Sequence, residues 1–398
     1  MNKVPNLRFK EFSGDWGSKK IGEITIKVGS GKTPKGGNSV YTDEGIIFLR
    51  SQNVLNGKLS LDDVAYITED INSTMKSTEV YPNDILLNIT GASIGRSCCV
   101  PESFERANVN QHVCIIRLNK NYNSNFVMNQ IISSRVQKQI NSFQAGGNRE
   151  GLNFEQIKGM KISSTTLEEQ EKIASFFSLI DKKIELQTEK VEELKNYKKG
   201  IMQKIFSQEL RFKDENGNEY PEWEECKVKD LFDVTRGVVI AKSEISDTSN
   251  DIFKYAVYSS QTSNNGILGY DQTFDFDGNY LTWTTDGANA GRVFCRSGRF
   301  RCTNVCGVLV EKNNTIGYAN KLVAEILNKE TPKHVSYVGN PKLMNGVMAE
   351  IKLNIPSLEE QTKIDKLINQ LDIKIESEQT KLNLLDDYKK GLLQQMFI

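Results

Sequence analysis

The chain has 398 residues, 38% hydrophobic and 26% charged, and its 51 basic side chains balance 51 acidic ones. That length supports about two to three domains with real cores, and the balance excludes a general basic coat for nucleic acid. No apolar run approaches the roughly 20 residues of a membrane span, and Met1–Lys10 is no signal peptide.

Seven cysteines, an odd number with no C-x-x-C pair, read as reduced thiols of a cytoplasmic protein. The zero net charge hides an uneven distribution. Residues 1–165 carry 20 Lys/Arg against 15 Asp/Glu, whereas residues 209–355 carry 17 against 20. Arg292, Arg296, Arg299 and Arg301 fall in an acid-free run, 287–310.

In chain order, Leu7-Arg8-Phe9-Lys10 and Trp16 precede a strand-like entry at 19–24. Gly29-Ser30-Gly31-Lys32-Thr33 resembles the end of a nucleotide-binding loop, but Ile26 stands where the pattern needs glycine and Pro34 interrupts the required helix. A lysine-bearing glycine loop suited to a phosphate backbone fits better. Strands are expected at 45–49, 84–89 and 113–118, and a helix near 124–140. GGNREG (146–151) offers two glycines for close backbone approach beside Asn148 and Arg149.

Residues 166–208 predict one long helix, opened by a Thr166-Leu-Glu-Glu169 capping box. Apolar residues recur every 3.5 positions from Ile173 through Phe177, Ile180, Ile184, Val191, Leu194, Ile201 and Ile205, a coiled-coil seam.

The chain then repeats itself. Leu210-Arg211-Phe212-Lys213 and Trp223 lead to a second strand-like entry at 227–232. Gly91, Ala92, Gly95 and Arg96 recur as Gly287, Ala288, Gly291 and Arg292, and at the same shift Asn108-Val109 aligns with Asn304-Val305. Strands are expected at 280–285 and 308–310, and a helix near 317–328. Residues 358–397 match 167–206 without a gap at 18 of 40 positions. The second helix therefore fills 356–398, opened by Ser357-Leu-Glu-Glu360 after Pro356. Run antiparallel with Val191 near Leu385, the two seams bring Gln187 to Lys389 and Lys198 to Glu378, so polar groups pin the register. Forty helical residues span about 60 Å, a ruler between two heads. Off-seam Phe176, Phe206 and Phe397 are candidates to meet a partner surface.

The fold class expected is α+β: two pseudo-repeated globular domains, 1–165 and 209–355, separated by two long antiparallel coiled-coil helices, 166–208 and 356–398. Catalytic signatures are absent. There is no Asn/Asp-Pro-Pro-aromatic motif and no G-x-G-x-x-G loop, and the two histidines, His112 and His334, do not occupy equivalent repeat positions. What remains is recognition by polar loops. Arginine suits guanine edges, Asn and Gln suit adenine edges, and lysines on glycine-rich backbone suit phosphates. The candidates are Lys32, Thr33, Lys35, Arg50, Gln52, Asn53, Asn110, Gln111, Asn148 and Arg149 in the first domain. In the second they are Arg236, Ser260, Gln261, Arg301, Asn304 and Lys342.

On L-E-E-Q-x-K-I and Y-K-K-G-x-x-Q-x-x-F, each present twice, with G-A-x-x-G-R and GGNREGLNFEQIKGMKI (146–162), the chain resembles the specificity subunit of Type I restriction-modification systems. The second half departs from the glycine-rich arginine loop, offering Val338-Gly339-Asn340-Pro341-Lys342. The resemblance implies two target recognition domains, each reading half of a split site in double-stranded DNA. It implies helices that space them and dock two methyltransferase subunits, with two restriction subunits in the full complex. S-adenosylmethionine, ATP and Mg2+ then belong to those partners and no cofactor to this chain. A stand-alone DNA-modifying enzyme with a cryptic site and a coiled-coil protein adaptor remain the alternatives.

Overall fold

In the computed structural model, which describes residues 4–144 and 151–398, the chain packs as two compact units. Unit 1 joins Met1–Glu189 to Gln379–Ile398, and unit 2 is Lys190–Glu378. The repeat divides the sequence into four segments, but packing cuts each long helix, because helix ends complete both cores. Unit 1 buries Ile173, Phe177 and Ile180 with Leu392, Leu393, Met396 and Phe397; unit 2 buries Met202 and Ile205 with Ile364 and Ile368. At roughly 1.5–3 kcal/mol per buried side chain, as an upper bound, the four C-terminal residues contribute on the order of 6–12 kcal/mol to unit 1.

The strands of unit 1 are β1 (Gly17–Lys20), β2 (Thr25–Ser30), β3 (Ile46–Leu49), β4 (Ala65–Ile67), β5 (Glu79–Val80), β6 (Ile85–Asn88), β7 (Ser97–Cys99), β8 (Ala107–Val109), β9 (Val113–Leu118) and β10 (Lys161–Ser164). They form two four-stranded sheets, β2-β9-β6-β7 and β4-β3-β8-β5, plus the pair β1-β10. Unit 2 has β11 (Glu224–Lys227), β12 (Phe232–Arg236), β13 (Tyr255–Tyr258), β14 (Ile267–Asp271), β15 (Phe276–Thr284), β16 (Val293–Cys302), β17 (Cys306–Glu311) and β18 (Lys352–Ile355). Six of these make one sheet, β12-β17-β15-β16-β13-β14, with β11-β18 apart. Among the described residues each unit has one parallel ladder, β3 with β8 and β13 with β16, unit 2 adds an isolated parallel bridge between Val238 and Thr303, and every other ladder is antiparallel. The α+β class with two pseudo-repeated domains and two long antiparallel helices is therefore observed.

At 19–24 and 227–232 the structure differs from the strand reading. One helical turn, Ile21–Ile24 or Val228–Leu231, follows a short strand in each unit. The Glu23 and Asp230 carboxylates accept from the Lys20 and Lys227 amides at 3.2 and 2.8 Å. The buried residues of each turn stand three apart, a helical spacing that the strand reading overlooked.

The long helices run Leu167–Phe206 and Leu358–Met396, a residue or two shorter than expected at each end. The Thr166 and Ser357 hydroxyls accept from the Glu169 and Glu360 amides only at 3.4 Å. The expected reciprocal half of each capping box gives way to a tertiary clip. Glu169 accepts from Arg8 at 2.7 and 2.8 Å and from the Trp16 indole at 3.1 Å; Glu360 accepts from Arg211 at 3.3 and 2.9 Å. The following glutamine is also buried: Gln170 accepts from the Asn123 amide and donates to the Thr165 carbonyl, while Gln361 accepts from the Asn320 side chain and donates to the Pro356 carbonyl. Asn123 and Asn320 cap the next helix of their own domains, so L-E-E-Q locks the long helix onto the globule.

The helices pair antiparallel within each unit, in a register other than the expected one. In unit 2, Lys198 reaches Asp372 at 2.7 Å, six residues short of Glu378, and Glu378 pairs with Lys190 at 3.2 Å. In unit 1, Lys389 bonds Asp181. A half-buried ammonium is better satisfied by a carboxylate than by a carboxamide. Phe397 is buried in the core of unit 1, and the half-buried Phe176 and Phe206 pack against the cores of unit 1 and unit 2.

Candidate nucleic-acid interface

In unit 1 the loops at one end of the sheets converge. The Gly31 amide donates to the Val113 carbonyl at 3.2 Å, and a Cβ on Gly31 would lie 1.7 Å from the Val109 carbonyl oxygen, so only glycine lets this loop approach. The Asn110 amide donates to the Leu49 carbonyl, tying the 110–112 turn to the loop after β3. Thr90 bridges to Gly151, and the Leu152 amide donates to the Ile89 carbonyl. G-A-x-x-G-R closes the β6–β7 hairpin through two positive-φ glycines, Gly91 and Gly95. The loops 31–35, 50–53, 89–91 and 110–112 are thus tied together through the 110–112 turn, and the 89–91 loop meets Gly151.

Unit 2 rebuilds this cluster bond for bond. The Gly237 amide donates to the Cys306 carbonyl at 3.1 Å, and a Cβ there would lie 1.9 Å from the Cys302 carbonyl oxygen. The Thr303 amide donates to the Tyr258 carbonyl, as Asn110 does to Leu49. The Leu343 amide donates to the Thr285 carbonyl, and Asp286 bridges to Lys342. These bonds correct the repeat alignment. Val113 corresponds to Cys306, so Gln111 matches Asn304, while the Asn108 aligned with Asn304 by sequence is a fully buried strand residue. Three residues are missing between the second hairpin and its turn, and sequence identity alone slid past the gap.

Lys32, Thr33 and Lys35 are exposed on the glycine loop; Gln111 is exposed and Asn110 half-buried on the facing turn. The Thr33 hydroxyl and the Gln111 carboxamide oxygen are bonded. Arg50 and Gln52 both engage Asp63, at 3.4 and 2.5 Å. Asn53 is only 2% exposed and ties the loop together through the Ser60 and Asp63 carbonyls and the Arg50 amide, so it leaves the candidate set. Asn148 and Arg149 lie outside the described residues.

Arg236, Asn304 and Lys342 are exposed at the cluster of unit 2, with Lys342 3.7 Å from Asp286. Ser260 accepts from the Thr285 and Asp286 amides and donates to the Val305 carbonyl, and Gln261 donates to the Ile267 carbonyl; both brace loops. Arg301 is neutralised by Asp271 at 2.8 Å and Asp275 at 3.0 Å and also leaves the set. The acid-free run does not make a basic patch. Asp277 pairs with Arg299 at 2.9 Å, and Arg296 is buried between Tyr258 and Phe294, 3.8 and 4.3 Å from the ring centres. Local sequence omits what a neighbouring strand contributes.

Sequence reasoning missed three features. Arg96 and Arg292 stand exposed at the hairpin turns and were marked by their repeated motif. His112 sits inside the unit 1 cluster, its Nδ1 2.6 Å from the Thr90 hydroxyl and its Nε2 3.0 Å from Gln111 Nε2. Tyr337 and Val338 project from the loop of unit 2 that ends in the Ser336–Lys342 bridge. The cysteines are free thiols, and burial pushes those of Cys98 and Cys114 up to about 12. Among the described residues no group of three or more His, Cys, Asp or Glu is placed to hold a metal, and no helix is long and apolar enough to cross a membrane.

The family model for the Type I restriction modification DNA specificity domain matches residues 13–196 and again residues 220–386. The chain belongs to the Type I restriction-modification specificity-subunit family. A putative type I specificity subunit of Mycoplasma pneumoniae, S.MpnORF365P, is 36% identical over 257 residues, covering 61% of this chain and 89% of that protein. Another from the same organism, the S.MpnORF289P N-terminus, is 44% identical over 144 residues, covering 36% and 74%. The S subunit of a Type-I restriction-modification system from M. genitalium shares the fold over 99% of both chains at 16% identity, with a TM-score of 0.62. Each matched segment holds one recognition domain and most of one long helix, in a subunit whose role is DNA sequence specificity.

Proposed function

We propose that this specificity subunit reads an asymmetric, two-part site in double-stranded DNA, one part per recognition domain, and carries no active site of its own. One observation carries the reading: the same loop cluster is built twice by the same backbone bonds and furnished with different side chains. Gln111 and His112 stand where unit 2 has Asn304 and Val305; the Lys32–Lys35 loop stands where it has Val238–Ala241. Unlike heads read unlike half-sites. The long helices set the unread gap and dock two methyltransferase subunits, around which two restriction subunits assemble in the cytoplasm. Support for docking comes from exposed apolar side chains along the helices, among them Leu179, Leu186, Ile373 and Leu384, and the repeat-equivalent Tyr197 and Tyr388, 59% and 56% exposed. S-adenosylmethionine, ATP and Mg2+ are held by those partners.

The test is a domain exchange. Replacing residues 1–165 with those of another family member should change one half of the methylated motif and leave the other half and the gap intact, read by sequencing methylated DNA. A motif altered on both sides would refute independent heads. Inserting four residues, about one turn, in the central helix should lengthen the gap.

A further inference from the structure

The turn between β8 and β9 holds a chain of four polar side chains that crosses three loops of unit 1. The Thr33 hydroxyl bonds the Gln111 carboxamide oxygen; Gln111 Nε2 lies 3.0 Å from His112 Nε2; and His112 Nδ1 lies 2.6 Å from the Thr90 hydroxyl. With Gln111 donating, His112 accepts at Nε2 and its Nδ1 proton goes to Thr90. A carboxamide offers two N–H donors and two oxygen lone pairs. This network uses one of each, holds the amide plane, and leaves Gln111 one donor and one acceptor, on an exposed side chain.

That remaining pair has a chemical complement. In the major groove adenine presents an acceptor, N7, beside a donor, the N6 amine; guanine presents two acceptors and cytosine a lone donor. Lys32 and Lys35 are exposed on the facing loop, where phosphates flanking such a base can be held. The structurally equivalent residue of unit 2 is again a carboxamide. Asn304 is exposed between Thr303 and Val305, and its side chain bonds to nothing among the described residues. Val305 replaces His112, so unit 2 lacks the clamp.

We infer that Gln111 and Asn304 are corresponding base-edge readers, each taking an adenine in its own half-site, and that His112 is a positioning residue that orients Gln111. The inference rests on the reading of the chain as a DNA-binding subunit. Held in one plane, Gln111 discriminates more sharply than Asn304.

The experiment reconstitutes the subunit with its methyltransferase partners and selects bound duplexes from a library of randomised positions. Gln111→Ala should make one adenine position of one half-site degenerate, with discrimination there reduced roughly 5- to 150-fold and every other position retained. Asn304→Ala should do the same in the other half, with a smaller loss. Gln111→Arg should move the first position towards guanine. His112→Ala should blunt that position less than Gln111→Ala does and leave binding to unselected duplex unchanged. A Gln111→Ala profile identical to wild type, or one weakened equally at all positions with an unchanged melting curve, overturns the assignment. A His112→Ala profile identical to wild type overturns the positioning role. If the wild-type complex selects no sequence, the DNA reading itself falls.

Discussion

Unit 1 divides between β7 and β8 what unit 2 carries as the single ten-residue strand β16. Pro101 follows β7 and cannot donate to a ladder, so the chain leaves the sheet in a turn closed by the Phe104 amide on the Pro101 carbonyl. Unit 2 keeps its strand continuous through Gly298, at φ +83, opposite Gly278, at φ +134. The result is two small sheets in one domain and one six-stranded sheet in the other. The loop cluster is indifferent to this, because its ties run from β2 or β12 to the strand on the far side of the turn. A scaffold can diverge in its sheets while the backbone that presents the reading loops stays fixed.

The largest expected effect concerns the clips. Glu169→Ala removes the carboxylate from the half-buried Arg8 guanidinium, which keeps only the Ser13 and Gly14 carbonyls, and removes the acceptor of the Trp16 N–H, and should cost about 3–5 kcal/mol by urea denaturation. Glu360→Ala should cost about 1 kcal/mol less, since Arg211 keeps Glu222 at 3.4 Å and no indole depends on it. Equal losses would show that the two clips are energetically the same.

Gly31→Ala and Gly237→Ala drive a methyl into backbone carbonyls and should each cost about 3 kcal/mol. Each should also abolish selection in only one half-site. Smaller again, Trp16→Phe should cost about 1 kcal/mol, whereas Trp223→Phe should be close to neutral. The Trp223 Nε1 is buried with no hydrogen-bond partner among the described residues, so its removal loses no bond.

The smallest difference is in pH. Burial raises the pKa of Asp181 above its ordinary value despite Lys389, and it raises that of Asp372 too, but there the bonds from Lys198 and Lys321 outweigh it and hold the carboxyl below its ordinary value. The depressed Asp372 stabilises above the unfolded pKa, and that contribution is lost as pH falls through the folded value. The raised Asp181 is disfavoured when charged, and the fold is relieved as it protonates. From about pH 6 to about pH 3, Asp372→Asn should flatten the acid-induced loss of stability, while Asp181→Asn should steepen it. The same slope change in both variants would contradict the asymmetry.

Much of this was legible in the chain. A 3.5-residue period sustained over 40 residues fixes a long helix whatever surrounds it, and 18 identities at one shift reveal the duplication. Strands such as Val113–Leu118 were legible from β-branched runs bounded by turns. Less local features were not. The turns at Ile21–Ile24 and Val228–Leu231 depend on one capping carboxylate each, and the seam register depends on which carboxylates face Lys198 and Lys389.

The sequence by itself determined the duplicated plan, the two long helices and the family, because periodicity and repetition are properties of the order of residues. Only the tertiary structure decided that Gln111 corresponds to Asn304, that Arg301 and Asn53 are already committed, and that Glu169 and Glu360, the second glutamate of each L-E-E-Q, are clips rather than caps. Those outcomes depend on which groups from distant segments lie within about 3 Å, the range at which hydrogen bonds and ion pairs form.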